Sequence, residues 1–173
     1  ASVMIRLLCA VFLTRTTFVP DEYYQSVEPA YRQVFGRGII SWEWDPEYRI
    51  RSLLNINVYV WLFQVLKWLN VDSHIAFSLG PRVIQGCLAA ISDILLYDLA
   101  NGIELLPEAW SHEASLLTMI FHFGNWCWLY CASRTLANTS ETVVIVVVLY
   151  LLYGHRRHSF LSCKGAALER CLG

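Results

Sequence analysis

Charged residues are scarce in this sequence. Asp, Glu, Lys and Arg make up 16% of its 173 residues, against about 25% in an average globular protein. The formal net charge is −1, so the basic face that nucleic-acid binding requires is missing. The composition therefore excludes a nucleic-acid-binding protein.

The motifs of common cofactor sites are missing as well. The six cysteines include no CxxC pair, which argues against a zinc or redox site. No glycine-rich phosphate loop is present, so a nucleotide site of that kind is excluded. No basic segment followed by a cleavage site marks a signal peptide. We expect neither a metal nor a cofactor.

Hydrophobic residues, in contrast, are abundant. They make up 56% of the chain, with a mean hydropathy of +0.43 and an aromatic content of 14%, and such aromatic residues collect at membrane interfaces. Five apolar segments follow one another: a first that ends near Leu13, then residues 53–69, 82–100, 114–133 and 142–153. We expect the first segment to begin before the given sequence does. A membrane-spanning helix needs about 20 such residues. We predict an all-α, polytopic transmembrane helical bundle.

A polar and aromatic loop, residues 14–52, separates the first two apolar segments. It is too long for a turn and too aromatic for disorder, so we expect it to fold against the membrane surface. Its stretch "PDEYYQSVE" predicts a helix over residues 20–28, because proline suits a first helical turn. Asp21 and Glu22 would then lie at the positive end of the helix dipole, which alone explains acids there.

The spacing of the acids also allows a function. Asp21, Gln25 and Glu28 recur at i, i+4 and i+7, which predicts one shared helix face. A carboxylate partly withdrawn from water becomes a better base, and a neighbouring acid can hold a sugar hydroxyl. This face is a candidate substrate site.

Other candidate substrate-binding residues flank later apolar segments. Trp42 and Trp44 surround Glu43 in "SWEW", where they would anchor the chain at the membrane interface or stack on a sugar or a lipid head. Two further groups combine cations with hydrogen-bonding side chains: Arg49 and Arg51 before the second apolar segment, and Arg134, Asn138 and Glu141 before the fifth. Arginine suits phosphate, although snorkelling at a helix end explains Arg49 and Arg51 equally well.

Two ionisable residues lie inside apolar segments. Asp93 interrupts the third segment, and such a residue is a functional hypothesis by default. A structural pairing with Arg82 is the alternative. His122 has no second ligand at metal spacing, so we expect it to be hydrogen-bonded within the bundle.

Taken in order, "PDEYYQSVE", "SWEW", "GPRVIQG" and "SRTLANTSET" resemble the endoplasmic-reticulum mannosyltransferases that use dolichyl-phosphate mannose, glycosyltransferase family 22, with the GT-C fold. The resemblance implies a multi-pass membrane enzyme whose first loop is luminal. Residues 1–153 would be the N-terminal part of its membrane domain, and residues 154–173 an irregular tail that departs from the family.

The resemblance also implies a chemistry. Asp21 would be the general base, with Glu22 as its partner, and mannose would pass from dolichyl-phosphate mannose to a GPI-anchor precursor, as its third, α1,2-linked mannose, with inversion. One of Arg49, Arg51 and Arg134 would stabilise the phosphate that leaves. The donor and acceptor are glycolipids, membrane lipids surround the protein, and neither a cofactor nor a protein partner is implied.

Three alternatives stay open. The acceptor could be an intermediate of N-glycan assembly, or the chain could be a non-catalytic, truncated membrane protein or a transporter fragment. The charge distribution adds a conflict. If all five segments cross the membrane, the luminal loop and the basic cluster His155–His158 lie on the same side, whereas basic clusters favour the cytosol. We expect the tail, rather than a segment that fails to cross, to account for this.

Overall fold

The computed structural model describes residues 2–14, 16–48, 50–71, 73–102 and 108–153, with the backbone alone for residues 108–111. These residues are helical or irregular and contain no strand, which confirms the predicted all-α class. The principal helices, in chain order, are α1 (Ser2–Leu8), α2 (Glu28–Phe35), α3 (Leu53–Trp68), α4 (His74–Asn101), α5 (Glu108–Gly124), α6 (Trp126–Cys131) and α7 (Ala137–Tyr153). Arg49 and the tail, residues 154–173, lie outside the described residues.

Two helices have π-helical segments beside the first loop. Cys9–Leu13 continues α1, and Tyr23–Val27 leads into α2. A short 3₁₀ helix, Trp42–Trp44, follows later in the loop. The predicted short helices in this loop are therefore confirmed, and α2 runs on to Gly36, which ends it in a left-handed conformation with φ of +72°.

One helix of the described residues has the length and composition to cross a membrane. It is α4, with 28 residues, while Ser2–Leu13 and α7 are apolar but shorter. The predicted crossing by residues 114–133 is interrupted, because α5 ends at Gly124 and the side chain of Asn125 caps α6 by accepting from the Trp128 N–H. The predicted polytopic bundle of spanning helices is therefore not confirmed by the described residues.

Helix α4 also begins earlier than its composition predicts. The predicted apolar segment begins at residue 82, directly after Pro81, yet the helix starts at His74 and contains Pro81 in its interior. A proline there loses one backbone hydrogen bond. The early turns are held by ring contacts of Phe77 with Tyr31, Phe35 and Phe63, so tertiary packing outweighs the local signal.

Helix α1 lies antiparallel to α4. Arg6 pairs with Asp93, whereas the carbonyl of Thr14 accepts a hydrogen bond from Arg82. Gly86 lies between these two contacts, where a Cβ atom would come within 3.3 Å of the carbonyl oxygen of Arg6. The end of α1 and the beginning of α4 are therefore at the same end of the helix pair, and residues 14–73 leave and return there.

A hydrophobic core joins α2 to α3 beside the first turns of α4. Its buried residues are Val27, Ala30, Ile56, Tyr59, Val60 and Phe63. Helix α3 begins at Leu53 as the sequence predicts, because the Ser52 hydroxyl accepts a hydrogen bond from the Leu54 N–H. This packing places the first loop as a folded unit against the end of α4 at which α1 terminates.

Candidate functional site

The candidate site is centred on the first turn of the helix that leads into α2. The carbonyl of Pro20 accepts from the N–H groups of Tyr23 and Tyr24, at 3.0 and 3.1 Å. Pro20 thus precedes the first turn, and the two acids that follow it have opposite environments. Asp21 is exposed, whereas Glu22 is 1% exposed.

Glu22 is held by residues far away in the sequence. Its Oε1 lies 2.6 Å from Nη1 of Arg134, and its backbone carbonyl accepts from the Thr135 hydroxyl at 2.9 Å. Arg134 is itself fully buried, and its Nη1 also donates to the carbonyl of Thr16 at 2.8 Å. The two predicted site residues Glu22 and Arg134 therefore meet across a separation of 112 positions.

Aromatic rings enclose the Arg134 guanidinium. It lies 4.1 Å from the ring centre of Tyr130 and 5.6 Å from that of Phe18. These two rings pack edge to face, with their centres 5.5 Å apart. Such cation–π contacts stabilise a cation that is withdrawn from water, so the pair with Glu22 is built into a closed aromatic setting.

Asp21 makes no hydrogen bond or ion pair with any residue that the structure describes. An exposed carboxylate of this kind can accept a proton from a bound molecule, because none of the described residues competes for its oxygens. The two acids are thus separated by environment: one is accessible and the other is part of the scaffold.

The predicted shared face of Asp21, Gln25 and Glu28 is interrupted. The π-helical segment Tyr23–Val27 adds a residue to the turn, which shifts the register of everything after it. Gln25 and Glu28 are half-buried, and Glu28 points at Gly38, where a Cβ atom would lie 2.8 Å from its Oε2. The spacing argument assumed an uninterrupted α-helix and missed this turn.

A second polar group lies around the 3₁₀ helix. Glu43 accepts two hydrogen bonds from Arg51, at 3.1 and 3.3 Å, and both side chains are partly exposed. Trp42 is 65% exposed and contacts the ring of Tyr48, at 6.0 Å between centres. Trp44 instead packs on the core of α2 and α3. Only Trp42 of the pair offers a free face for a sugar or a lipid.

The other predicted site residues lie in the first turns of α7. Asn138 and Glu141 are exposed there, and Ser140, between them, donates to Gln85 of α4 at 3.3 Å. Because Arg134 directly precedes this helix, its start lies at the same end of the bundle as Glu22. Sequence reasoning placed these residues near one another, and the structure puts them on consecutive turns.

A buried charge network deeper in the bundle was missed. Arg6 donates from Nε and Nη2 to the two oxygens of Asp93, both at 2.9 Å, and both side chains are at most 1% exposed. Asp93 also accepts from the Ser2 hydroxyl at 2.5 Å. The predicted pairing of Asp93 with Arg82 is wrong, since Arg82 donates to the Thr14 carbonyl and the Tyr23 hydroxyl. The sequence feature that could have revealed this network is Arg6, a lone arginine in the first apolar segment.

His122 also belongs to this network, which confirms the prediction of a hydrogen-bonded histidine within the bundle. Its Nε2 lies 2.7 Å from Asp93 Oδ1 and 2.8 Å from the indole N–H of Trp128. One ring nitrogen either donates or accepts, so the tautomer decides which of these contacts is a hydrogen bond. Among the described residues, no cluster of ligating side chains suits a metal ion.

Comparison with known proteins gives independent evidence on the family of this chain. The model of the Alg9-like mannosyltransferase family matches residues 1–171. The chain belongs to this family. The family resemblance inferred from the motifs is thereby confirmed, and the match runs past residue 153, where the sequence predicted the tail to begin. The tail lies outside the described residues, so its irregular structure stays a prediction.

Several individual relatives of this chain are named as GPI mannosyltransferases. The chain is 35% identical to GPI alpha-1,2-mannosyltransferase 3 of Bos taurus over 161 residues, covering 93% of this chain and 28% of the relative. It is 34% identical to the Homo sapiens protein of that name, covering 91% and 27%, and 33% identical to GPI mannosyltransferase 3 of Drosophila melanogaster, covering 82% and 23%. The chain thus spans about a quarter of the length of these relatives. No solved structure matches it.

Proposed function

We propose that this chain is the N-terminal portion of an inverting GPI alpha-1,2-mannosyltransferase of the endoplasmic-reticulum membrane. It would transfer mannose from dolichyl-phosphate mannose to a GPI precursor, as the third mannose. The family match supports mannosyl transfer, and the names of the relatives described above favour the GPI acceptor over an N-glycan intermediate.

The main observation that supports the proposed site is the contrast in exposure between Asp21 and Glu22. A general base must reach the proton that it removes, and only Asp21 of the two acids is exposed. In this proposal Asp21 takes the proton of the acceptor hydroxyl, the hydroxyl oxygen attacks the anomeric carbon of the donor, and the bond to the phosphate oxygen breaks. Dolichyl phosphate departs with that electron pair.

The departing phosphate needs a cation within reach. Arg134 is fully buried, whereas the Arg51 side chain is 28% exposed. We therefore assign phosphate stabilisation to Arg51, with Glu43 fixing its guanidinium and with Arg49, outside the described residues, as a neighbour. Trp42 offers its exposed ring to a mannose unit, and Asn138 and Glu141 offer hydrogen bonds to sugar hydroxyls.

The membrane topology of this proposal follows from the packing. Helix α4 is longer than the ~20 residues needed to span a bilayer, and α2 and α3 pack beside its first turns. We place α2 and α3 in the luminal surface layer, with α3 not crossing. The chain then crosses with α1, α4, the α5–α6 segment and α7, which puts residues after 153 on the cytosolic side. In this proposal a segment that does not cross, rather than the tail as first expected, accounts for the conflict of basic charges.

A complementation experiment tests the function. Cells that lack GPI alpha-1,2-mannosyltransferase 3 receive the full-length protein that carries this sequence, its Asp21→Asn variant or its Glu47→Gln variant. Glu47 is a matched control, since it is an exposed acid of the same loop. We expect surface GPI-anchored protein with the wild type and Glu47→Gln, and none with Asp21→Asn at equal protein level. Full rescue by Asp21→Asn would refute the base, and no rescue by the wild type would refute the GPI acceptor.

A further inference from the structure

The environment of Arg134 is unsuited to contact with a substrate. Its side chain is fully buried, and its Nη1 already serves the Glu22 carboxylate and the Thr16 carbonyl. Its Nε and Nη2 have no hydrogen-bond partner among the residues that the structure describes, and its guanidinium carbon lies near the rings of Phe18 and Tyr130. Burial of the whole side chain therefore argues against direct contact with a phosphate.

What Arg134 does contact is the residue next to the proposed base. Glu22 is tethered twice by consecutive residues: its side chain by Arg134 at 2.6 Å and its backbone carbonyl by Thr135 at 2.9 Å. Two tethers on one residue, one on each side of its Cα atom, fix both its position and its orientation. The direction in which the preceding residue, Asp21, leaves the helix is then fixed as well.

The backbone around Glu22 explains why such tethers are needed. The π-helical segment Tyr23–Val27 begins at the next residue, and π-helical turns are rare and less favourable than α-helical ones. The carbonyl of Glu22, at the junction, accepts the Thr135 hydroxyl. A first turn that joins an irregular loop to a π-helical segment has little stiffness of its own, so an external clamp sets its geometry.

We propose that Arg134 is a positioning residue: through Glu22, and together with Thr135, it aims Asp21 at the acceptor hydroxyl. This inference rests on the proposed function, because it presupposes that Asp21 is the base. It changes the role of the SRT segment, Ser133 to Thr135, from binding the donor to holding the catalytic loop. Misplacing a reacting group by about 1 Å is enough to cost roughly 100-fold in rate.

The test separates positioning from phosphate binding through kcat and KM. Microsomes carrying the full-length protein are assayed with dolichyl-phosphate mannose and a GPI precursor that has two mannoses. For Arg134→Gln and Arg134→Lys we expect kcat to fall roughly 100-fold while KM for the donor stays within a factor of two. Lysine keeps the charge but lacks the fork that serves Glu22 and Thr16 together. A raised donor KM with rescue by lysine would overturn the inference.

Thr135→Val provides a milder variant in case the arginine variants do not accumulate. It removes only the hydroxyl tether, and one neutral hydrogen bond corresponds to a fall in kcat of up to about tenfold. We expect such a fall with unchanged KM, and an additional Arg134→Gln change should cost less than the product of the two single effects. Wild-type kcat in Thr135→Val would overturn the inference.

The Asp21→Asn variant, measured in the same assay, distinguishes the two proposals. If Asp21→Asn abolishes transfer while Thr135→Val and Arg134→Gln retain the wild-type kcat, the positioning role fails and the base stands. If Asp21→Asn retains activity, the proposed base fails, and the positioning role fails with it.

Discussion

The buried pair of Arg6 and Asp93 gives the sharpest stability prediction. Asp93→Asn removes the charge that accepts two hydrogen bonds from Arg6, at 2.9 Å each, and leaves a fully buried guanidinium without its counter-ion. The Nη1 of that guanidinium already has no partner among the described residues. Breaking a buried pair by removing one member costs about 3–5 kcal/mol, so we expect the free energy of unfolding to fall by roughly that amount.

The same helix supplies a matched control for this prediction. Asp98 is a partly exposed acid of α4 whose side chain has no polar partner among the described residues, so Asp98→Asn should change the free energy of unfolding by less than about 0.5 kcal/mol. The measurement is denaturation of the purified full-length protein in mixed micelles, followed by Trp fluorescence.

A double variant tests whether the lost charge pairing is the cause. Replacing a buried ion pair by apolar residues of similar volume is often neutral. Arg6→Met combined with Asp93→Leu should therefore recover most of the stability that Asp93→Asn loses. The reasoning is refuted if Asp93→Asn is as stable as Asp98→Asn, or if the double variant is less stable than Asp93→Asn alone.

Three further predictions concern other contacts. Tyr59→Phe deletes a buried hydroxyl that donates to Gln85 at 2.9 Å and should cost about 1 kcal/mol in the same denaturation experiment; an unchanged midpoint would contradict it. Gly86→Leu should force α1 and α4 apart and cost about 1–3 kcal/mol, visible as reduced accumulation in membranes, whereas wild-type accumulation would mean that the helices do not approach closely there. Arg51→Gln should raise the KM for the donor roughly tenfold, which is equivalent to the loss of one charge-assisted hydrogen bond. The control Arg32→Gln, in the same loop, should leave this KM unchanged. Equal KM values for the two variants would show that Arg51 is not part of the donor site.

Local chemistry was enough to predict several helices. Helix α3 begins and ends within a residue of the predicted segment, because Ser52 is a good N-cap and most of the following residues are apolar. The apolar run after residue 142 is helical, as predicted, although it is rich in β-branched residues. In both cases no distant contact had to be known.

Other features depend on contacts that no local pattern contains. Pro81 lies inside α4 because ring packing around Phe77 holds the turns before it. The break at Asn125 comes from a side-chain cap that apolar composition hides. Asp93 selects Arg6, 87 positions away, since the antiparallel packing of α1 and α4 decides which charges meet.

The candidate site likewise combines features that local sequence predicts with features that depend on distant contacts. The motif placed Asp21 and Glu22 at a helix start, and this is where they lie. Their separation into an exposed and a buried acid follows from Arg134, more than a hundred positions later, and the π-helical turn after them could not be read from residue spacing. The order of motifs identified the family, and three-dimensional packing was needed to show that the adjacent acids have different environments.

The most direct test of the account is the transfer of mannose by Asp21→Asn compared with Glu22→Gln in the full-length protein. Microsomal assays at matched protein levels would give kcat for each. If the exposed acid is the base and the buried acid holds it, Asp21→Asn abolishes transfer, and Glu22→Gln lowers kcat but leaves measurable activity. Activity in Asp21→Asn together with complete loss in Glu22→Gln would contradict the account and make the buried acid the reacting group.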